Sequence, residues 1–232
     1  MWEKLAKSIW FDLLGVAIVV AISLASGYLT ESLNDVTHWG TWAQFVPFGI
    51  ISILNTVLSV MSTRLTGRML NAGNVVGIIN TILSGVIDYL LGNQAAVITY
   101  PITFLIYVLA INKWTHSEKY QAAAPLTGLK GILVTIVIFV ASFIFSFLTN
   151  YLGYHGQTNV LFWITTIVFG LSMGSNILNA MKLTLQWPFW LVYDLAQLMK
   201  AFVQGNFANV GKYIYYIINS VAALSFWQKR TV

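Results

Sequence analysis

Trp187, Trp190 and Asp194 fall at positions i, i+3 and i+7. On an α-helix that spacing puts two indoles and a carboxylate on one face. Indole faces attract flat cations, and a desolvated contact of this kind reaches about 2 kcal/mol. A carboxylate beside them can neutralise a cation or accept hydrogen bonds from sugar hydroxyls. Tyr213 and Tyr216 would add stacking surface and hydroxyl donors. The chemistry is recognition of an aromatic, polyhydroxylated or cationic small molecule, and it does not suit a bare metal ion. Bond-making chemistry has less to draw on. The chain has no cysteine, so thiolate metal sites and disulfides are excluded. His38, His116 and His155 fall in different predicted loops, which argues against a histidine metal cluster. No H-E-x-x-H, no P-loop and no serine with a nearby base occur in the sequence. Neither an enzyme nor a cofactor is expected, and an ATP-driven pump is excluded in cis.

The elements that position these residues must be membrane helices. The 232 residues are 58% hydrophobic and 8% charged, where a soluble domain carries roughly 25% charged residues. Eight apolar stretches can be read, at about 9–29, 43–63, 74–91, 96–112, 130–151, 159–181, 187–204 and 209–227. Each is near the roughly 20 residues that cross a bilayer, and lipid tolerates only helices or closed barrels. Thr66-Gly67, Asn71 to Gly73, Gly92-Asn93, Gly153 to Gly156 and Gly205-Asn206 supply the breaks. Pro47, Pro101 and Pro188 are expected in first turns. The first stretch is too long for the h-region of a signal peptide.

With eight spans, Lys4, Lys7, Arg64, Arg68, Lys113, Lys119, Lys130, Lys182, Lys229 and Arg230 all lie on one side. Glu31 and Asp35, with Lys200 and Lys212, lie on the other. The positive-inside rule then puts both termini in the cytoplasm. The net charge of +5 is thereby explained without nucleic acid.

An internal repeat runs through the spans. Leu91-Gly92-Asn93-Gln94-Ala95 resembles Gln204-Gly205-Asn206-Phe207-Ala208, and the same offset of 113 pairs Ser59 with Ser172, Tyr100 with Tyr213 and Trp114 with Trp227. A three-span unit ends on the side opposite its start, so one linker helix between two copies makes them parallel. The expected fold is an all-α polytopic membrane protein with a 1+3+1+3 layout. An extra helix occupies 1–30, the first repeat 43–114, the linker 130–151 and the second repeat 159–227. This is the arrangement of SWEET-type transporters.

Polar stripes follow helical spacing in both repeats. Ser52, Asn55, Ser59 and Ser62 mark span two, and Ser172, Ser175, Asn176 and Asn179 mark span six. Span three carries Asn74, Gly77, Thr81, Ser84 and Asp88, with Asn80 beside Thr81. Span seven carries Gln197 beyond Asp194. Tyr100, Thr103 and Tyr107 in span four correspond to Tyr213, Tyr216 and Ser220 in span eight, with Asn219 adjacent. Such residues can be helix–helix glue. Together, on corresponding faces, they favour a wet pathway. Trp2, Trp10, Trp114 and Trp227 are expected in one interfacial belt and Trp39, Trp42 and Trp163 in the other. Asp194 lies roughly 10 Å into its span, where an ionised carboxylate costs about 2.5–3.5 kcal/mol and needs a partner. It reads as a ligand contact or a helix brace. Asp88 reads as structural, near enough to the outer end of span three to snorkel.

Trp187-x-x-Trp190-x-x-x-Asp194 resembles the WxxWxxxN/D signature of the Pnu vitamin transporters. The likeness extends through Gln186 to Trp190, Gly205-Asn206 and Tyr213 to Trp227, and more loosely through spans two to four, about 43–227 in all. The resemblance implies facilitated diffusion of a vitamin precursor across the bacterial inner membrane, with trapping by a cytoplasmic kinase. It implies a homotrimer. It puts Trp187, Trp190 and Asp194 at the substrate and matches Asn219 to a family asparagine. Asn80, Thr81, Asn176, Gln197, Tyr213 and Tyr216 complete the candidate site. The complete tryptophan pair is most like the nicotinamide riboside branch. Thiamine, also an aromatic cation, is the alternative within the family, beside riboflavin and deoxynucleosides. Outside facilitated transport, the remaining classes are a channel, which one deep acid supports thinly, and the substrate-binding subunit of an ATP-driven importer.

Overall fold

A computed structural model describes residues 1–156, 158–203 and 207–231. The Gly205-Asn206 turn, and with it half of the repeated Gly-Asn motif, lies outside the described residues. The described chain is helical: α1 (Trp2–Lys7), α2 (Ile9–Ala25), α3 (Leu33–Thr37), α4 (Phe48–Gly67), α5 (Ala72–Leu90), α6 (Ala96–Thr115), α7 (Gly128–Gly153), α8 (Val160–Ala180), α9 (Gln186–Val203) and α10 (Phe207–Gln228). Of these, α4, α5, α6 and α7 are long and apolar enough to cross a membrane, and α2 is a shorter apolar helix. At 1.5 Å per residue, the 20 residues of α4 match a hydrocarbon core of about 30 Å.

Local chemistry sets the helix ends. The Ser8 hydroxyl caps α2 by accepting from the Phe11 N–H at 3.3 Å. Ser32 and Asp35 form a reciprocal capping box on α3. Asn159 caps α8, its Oδ1 accepting from the Phe162 N–H at 2.9 Å. Pro47 sits at the N-cap of α4. Pro101 departs from expectation: it lies inside α6, one turn beyond the start, where the ring costs the Val97 carbonyl its helical donor.

Two helix ends are built alike. After α4, Leu70 N–H donates to the Leu65 carbonyl at 3.0 Å and Met69 N–H to Thr66 at 2.9 Å. After α8, Leu183 N–H donates to Leu178 at 3.0 Å and Lys182 N–H to Asn179 at 2.8 Å. Both are Schellman endings, and both put a non-glycine residue in the left-handed region, Met69 at φ 60 and Lys182 at φ 59. Every one of these pairs is separated by the offset of 113 found between Tyr100 and Tyr213.

Packing has the same exchange symmetry. Helices α4, α5 and α6 pack in sequence, as do α8, α9 and α10, while α6 crosses to α8 and α10 crosses to α4. Trp114 at the end of α6 donates its indole N–H to the Asn179 carbonyl of α8 at 2.8 Å. Trp227 at the end of α10 donates to the Gly67 carbonyl of α4 at 3.1 Å. Both indoles are buried, so neither belongs to the interfacial belt expected of them: a lipid-facing ring could not reach those carbonyls. Trp2, Trp10, Trp39, Trp42 and Trp163 are exposed. Helix α7 packs chiefly on α8, and α1 and α2 lie against α10 and α4.

Candidate functional site

Helices α4, α5, α6, α8, α9 and α10 enclose a cavity of about 440 Å³. That is within the roughly 300–1,000 Å³ of small-molecule sites. The polar stripes are its walls. Asn55 and Ser59 face it from α4, Asn80, Thr81 and Ser84 from α5, Tyr100 and Tyr107 from α6, and Ser172 and Asn176 from α8. Helix α9 supplies Trp187, Trp190, Tyr193, Asp194 and Gln197, and α10 supplies Tyr213, Tyr216 and Ser220. Helices α5 and α6 approach closely because Gly77 has no side chain: a Cβ there would lie 2.5 Å from the Tyr107 ring.

The walls are held by hydrogen bonds between helices. Asn80 Nδ2 donates to the Asn55 carbonyl at 2.8 Å and to its Oδ1 at 2.7 Å. Asn55 Nδ2 donates to Ser84 at 2.9 Å. The Tyr216 hydroxyl donates to Ser59 at 2.8 Å, joining α10 to α4. Within α9, Gln197 Nε2 donates to the Tyr193 hydroxyl at 2.8 Å. Asp194 is buried at 3% exposure, and its Oδ2 accepts from the Ser220 hydroxyl at 2.8 Å. The carboxylate is thus braced across α9 and α10 through one oxygen and lines the cavity as well.

Aromatic side chains give the cavity its stacking surface. Trp190 meets Tyr193 edge-on at 5.2 Å, and Tyr213 meets Tyr216 edge-on at 5.9 Å. Trp187 has another role than the free stacking face expected. It is 1% exposed and packs edge-on against Trp227 at 5.9 Å, because α9 begins beside the end of α10. Its Nε1, with Oδ1 of Asn176 and of Asn179, is buried with no hydrogen-bond partner among the described residues. All three residues line the cavity. These three atoms lie behind the cavity surface, where a polar group left unpaired costs about 1–3 kcal/mol.

The site assignments divide as follows. Trp187, Trp190, Asp194, Tyr213, Tyr216, Asn80, Thr81, Asn176 and Gln197 share the cavity wall. Asn219 does not. Its Oδ1 accepts from Arg64 Nη1 at 2.7 Å, since residues adjacent on a helix point about 100° apart and Ser220 holds the inward position. Arg64, 1% exposed, also donates to Asp12 at 2.6 Å and to the carbonyls of Leu5, Ala6 and Ser8. Asp88 is no snorkelling residue either. It lines the cavity and accepts from the Tyr100 hydroxyl at 2.5 Å. Lys200 and Lys212, expected around an outer turn, line the cavity too. The i, i+3, i+4 pattern from Gln197 to Lys200 and Ala201 could have placed Lys200 on the Asp194 face.

The profile of the nicotinamide mononucleotide transporter family matches residues 49–229. A crystal structure described as the vitamin B3 transporter PnuC is similar in fold, with a TM-score of 0.66 at 13% identity, covering 98% of this chain and 96% of that one. No curated protein matches the chain.

Proposed function

This chain belongs to the nicotinamide mononucleotide transporter family, a family of multi-pass membrane transporters rather than enzymes, and from that premise we propose that it carries nicotinamide riboside by facilitated diffusion. The observation that carries this reading is the cavity of about 440 Å³ in which Trp190, Asp194, Tyr213 and Tyr216 meet. A pyridinium ring would stack on Trp190. The ribose hydroxyls would bond the second oxygen of Asp194, and the carboxamide would pair with Asn80 or Gln197 on the same wall. Eight spans in a 1+3+1+3 layout fit the chain. The matched Schellman endings and the reciprocal Trp114 and Trp227 bonds support two parallel repeats, with α7 as linker. The inner membrane, cytoplasmic termini, a homotrimer and trapping by a cytoplasmic kinase belong to the same proposal.

A second reading has its own observation. Lys200 and Lys212 line the cavity, and two ammonium groups could take the phosphate of nicotinamide mononucleotide. Titrating purified protein with nicotinamide riboside, nicotinamide mononucleotide and thiamine side by side separates the readings. Tightest binding of the riboside is expected. Tighter binding of the mononucleotide, lost in Lys200→Gln, would favour the second reading, and a preference for thiamine would reject both.

A further inference from the structure

The two chain ends meet at one end of the helix bundle, and the charges there do not balance. Arg64 and Arg68 share the one carboxylate of Asp12. Lys7, Lys229 and Arg230 share the one carboxylate of Glu3 at 3.1–3.4 Å. Among the described residues five cations therefore contact two carboxylates, a surplus of three positive charges. Lys7, Arg68 and Arg230 line an open depression of about 470 Å³ with Leu70, Tyr120 and Phe226. None of these six residues lines the central cavity.

Four separate segments build this depression. Lys7 ends α1, Arg68 caps α4, Tyr120 belongs to the loop after α6, and Phe226 and Arg230 come from the end of α10. The loop is pinned where Ala122 N–H donates to the Arg230 carbonyl at 3.0 Å and Ala123 N–H to Lys182 at 2.9 Å. The cations are held in place. The Arg230 guanidinium lies 3.9 Å over the Phe226 ring, with the Lys7 ammonium 5.5 Å from the same ring. Arg68 is fixed through Nε and Nη2 to the Ala6 and Ser8 carbonyls and to Asp12. Among the described residues its Nη1 has no hydrogen-bond partner, and Glu3 is the one hydrogen-bond partner of the Lys7 ammonium. Donors and charge thus remain for a bound anion.

The level of the site says which anion. Ile9 and Trp10, two and three residues beyond Lys7, are exposed, as interfacial residues are. Basic pockets between membrane helices at headgroup depth hold lipid phosphates. We propose that this depression binds the phosphate headgroup of an anionic phospholipid, with Lys7, Arg68 and Arg230 as cations and the Tyr120 hydroxyl as a further donor. A lipid there would tie α1 to α4 and α10, next to the buried Arg64–Asp12 pair.

Purified full-length protein in nanodiscs of phosphatidylglycerol or phosphatidylcholine tests this, with native mass spectrometry counting retained lipid after detergent release. The protein should retain phosphatidylglycerol selectively and melt at a higher temperature in it. Lys7→Gln with Arg230→Gln should weaken retention about 25-fold, at about fivefold per cation removed. Should the double variant not purify, the half-exposed Lys7→Gln alone should show the fivefold loss. Equal retention of both lipids, or unchanged retention in the variants, would overturn the proposal. Inorganic phosphate at millimolar concentration, giving the full rise in melting temperature in phosphatidylcholine, would overturn the lipid assignment.

Discussion

Trp190 and Asp194 separate binding from bracing at the level of single residues. Trp190 is the more open of the two indoles in the cavity, so Trp190→Ala should remove stacking and cation–π attraction. The expected loss is about 1–2 kcal/mol, or roughly 5–30-fold in affinity for nicotinamide riboside, with part retained in Trp190→Phe. Asp194 spends one oxygen on Ser220. Asp194→Asn keeps size and an acceptor, and it should therefore be milder than Asp194→Ala. Calorimetry with melting curves on the same samples checks this. Unchanged binding in both alanine variants would move the site elsewhere in the cavity. Asn219 makes the opposite case. Its bond to Arg64 lies outside the cavity, so Asn219→Ala should lower the melting temperature and leave affinity within about twofold. A large affinity loss at unchanged stability would return Asn219 to the substrate.

The helix ends carry a prediction of their own. Trp114 and Trp227 make reciprocal bonds to opposite units, at 2.8 and 3.1 Å and one residue apart in register. Replacing either by Phe leaves a buried carbonyl without that donor, at a cost of about 1–3 kcal/mol. Both substitutions should lower the melting temperature, Trp227→Phe the more, because the Asn179 carbonyl keeps the Lys182 N–H as a donor. An unchanged melting temperature in Trp227→Phe would show that this bond does not hold α10 to α4. The positions of the helices were legible in the sequence because lipid forces apolar runs into helices, and the Gly92-Asn93 turn marks one of their ends. The roles of these tryptophans were not. Composition at a span end looks the same for a belt indole and for one that bonds a neighbouring helix, and only packing separates them. Adjacency misled at Asn219 and Ser220 for a similar reason, since a single residue of helical phase decides which of them faces the cavity. The link from α1 to the end of α10 depends on pH. Bonds from Lys229 first, then Lys7, lower the Glu3 carboxyl from 4.5 to about 2. A lowered folded-state value means the stabilisation is complete above about pH 4.5 and is lost as pH falls towards 2. Glu3→Gln should therefore remove part of the acid sensitivity of the melting temperature over that interval. A variant with the parent's full acid dependence would show that Glu3 does not contribute.

At the scale of the whole molecule, the question is whether transport is coupled to an ion gradient. Glu3 contacts Lys229 and Arg230, so both termini lie at one end of the bundle, as an even number of crossings requires. The central cavity is lined by two carboxylates, Asp88 and Asp194, and by two ammonium groups, Lys200 and Lys212. Each carboxylate is engaged by a hydroxyl, from Tyr100 and Ser220 respectively. No group of three or more His, Cys, Asp or Glu residues suited to a cation occurs among the described residues. Coupled carriers place acids or carbonyl clusters on the ion path, whereas here two ammonium groups share the cavity with the two acids and bring its formal charge to zero. Uncoupled movement down the substrate gradient is the expected mode. Proteoliposomes preloaded with unlabelled nicotinamide riboside should take up labelled riboside by counterflow with sodium absent and with protonophore present, at a rate within about twofold of that under an imposed gradient. Trp190→Ala should slow that exchange at subsaturating substrate, which ties the flux to the cavity rather than to leak. Net accumulation driven by a proton or sodium gradient, in vesicles holding no kinase, would show that an acid in the cavity does carry a coupling ion, and Asp88→Asn and Asp194→Asn would then identify which.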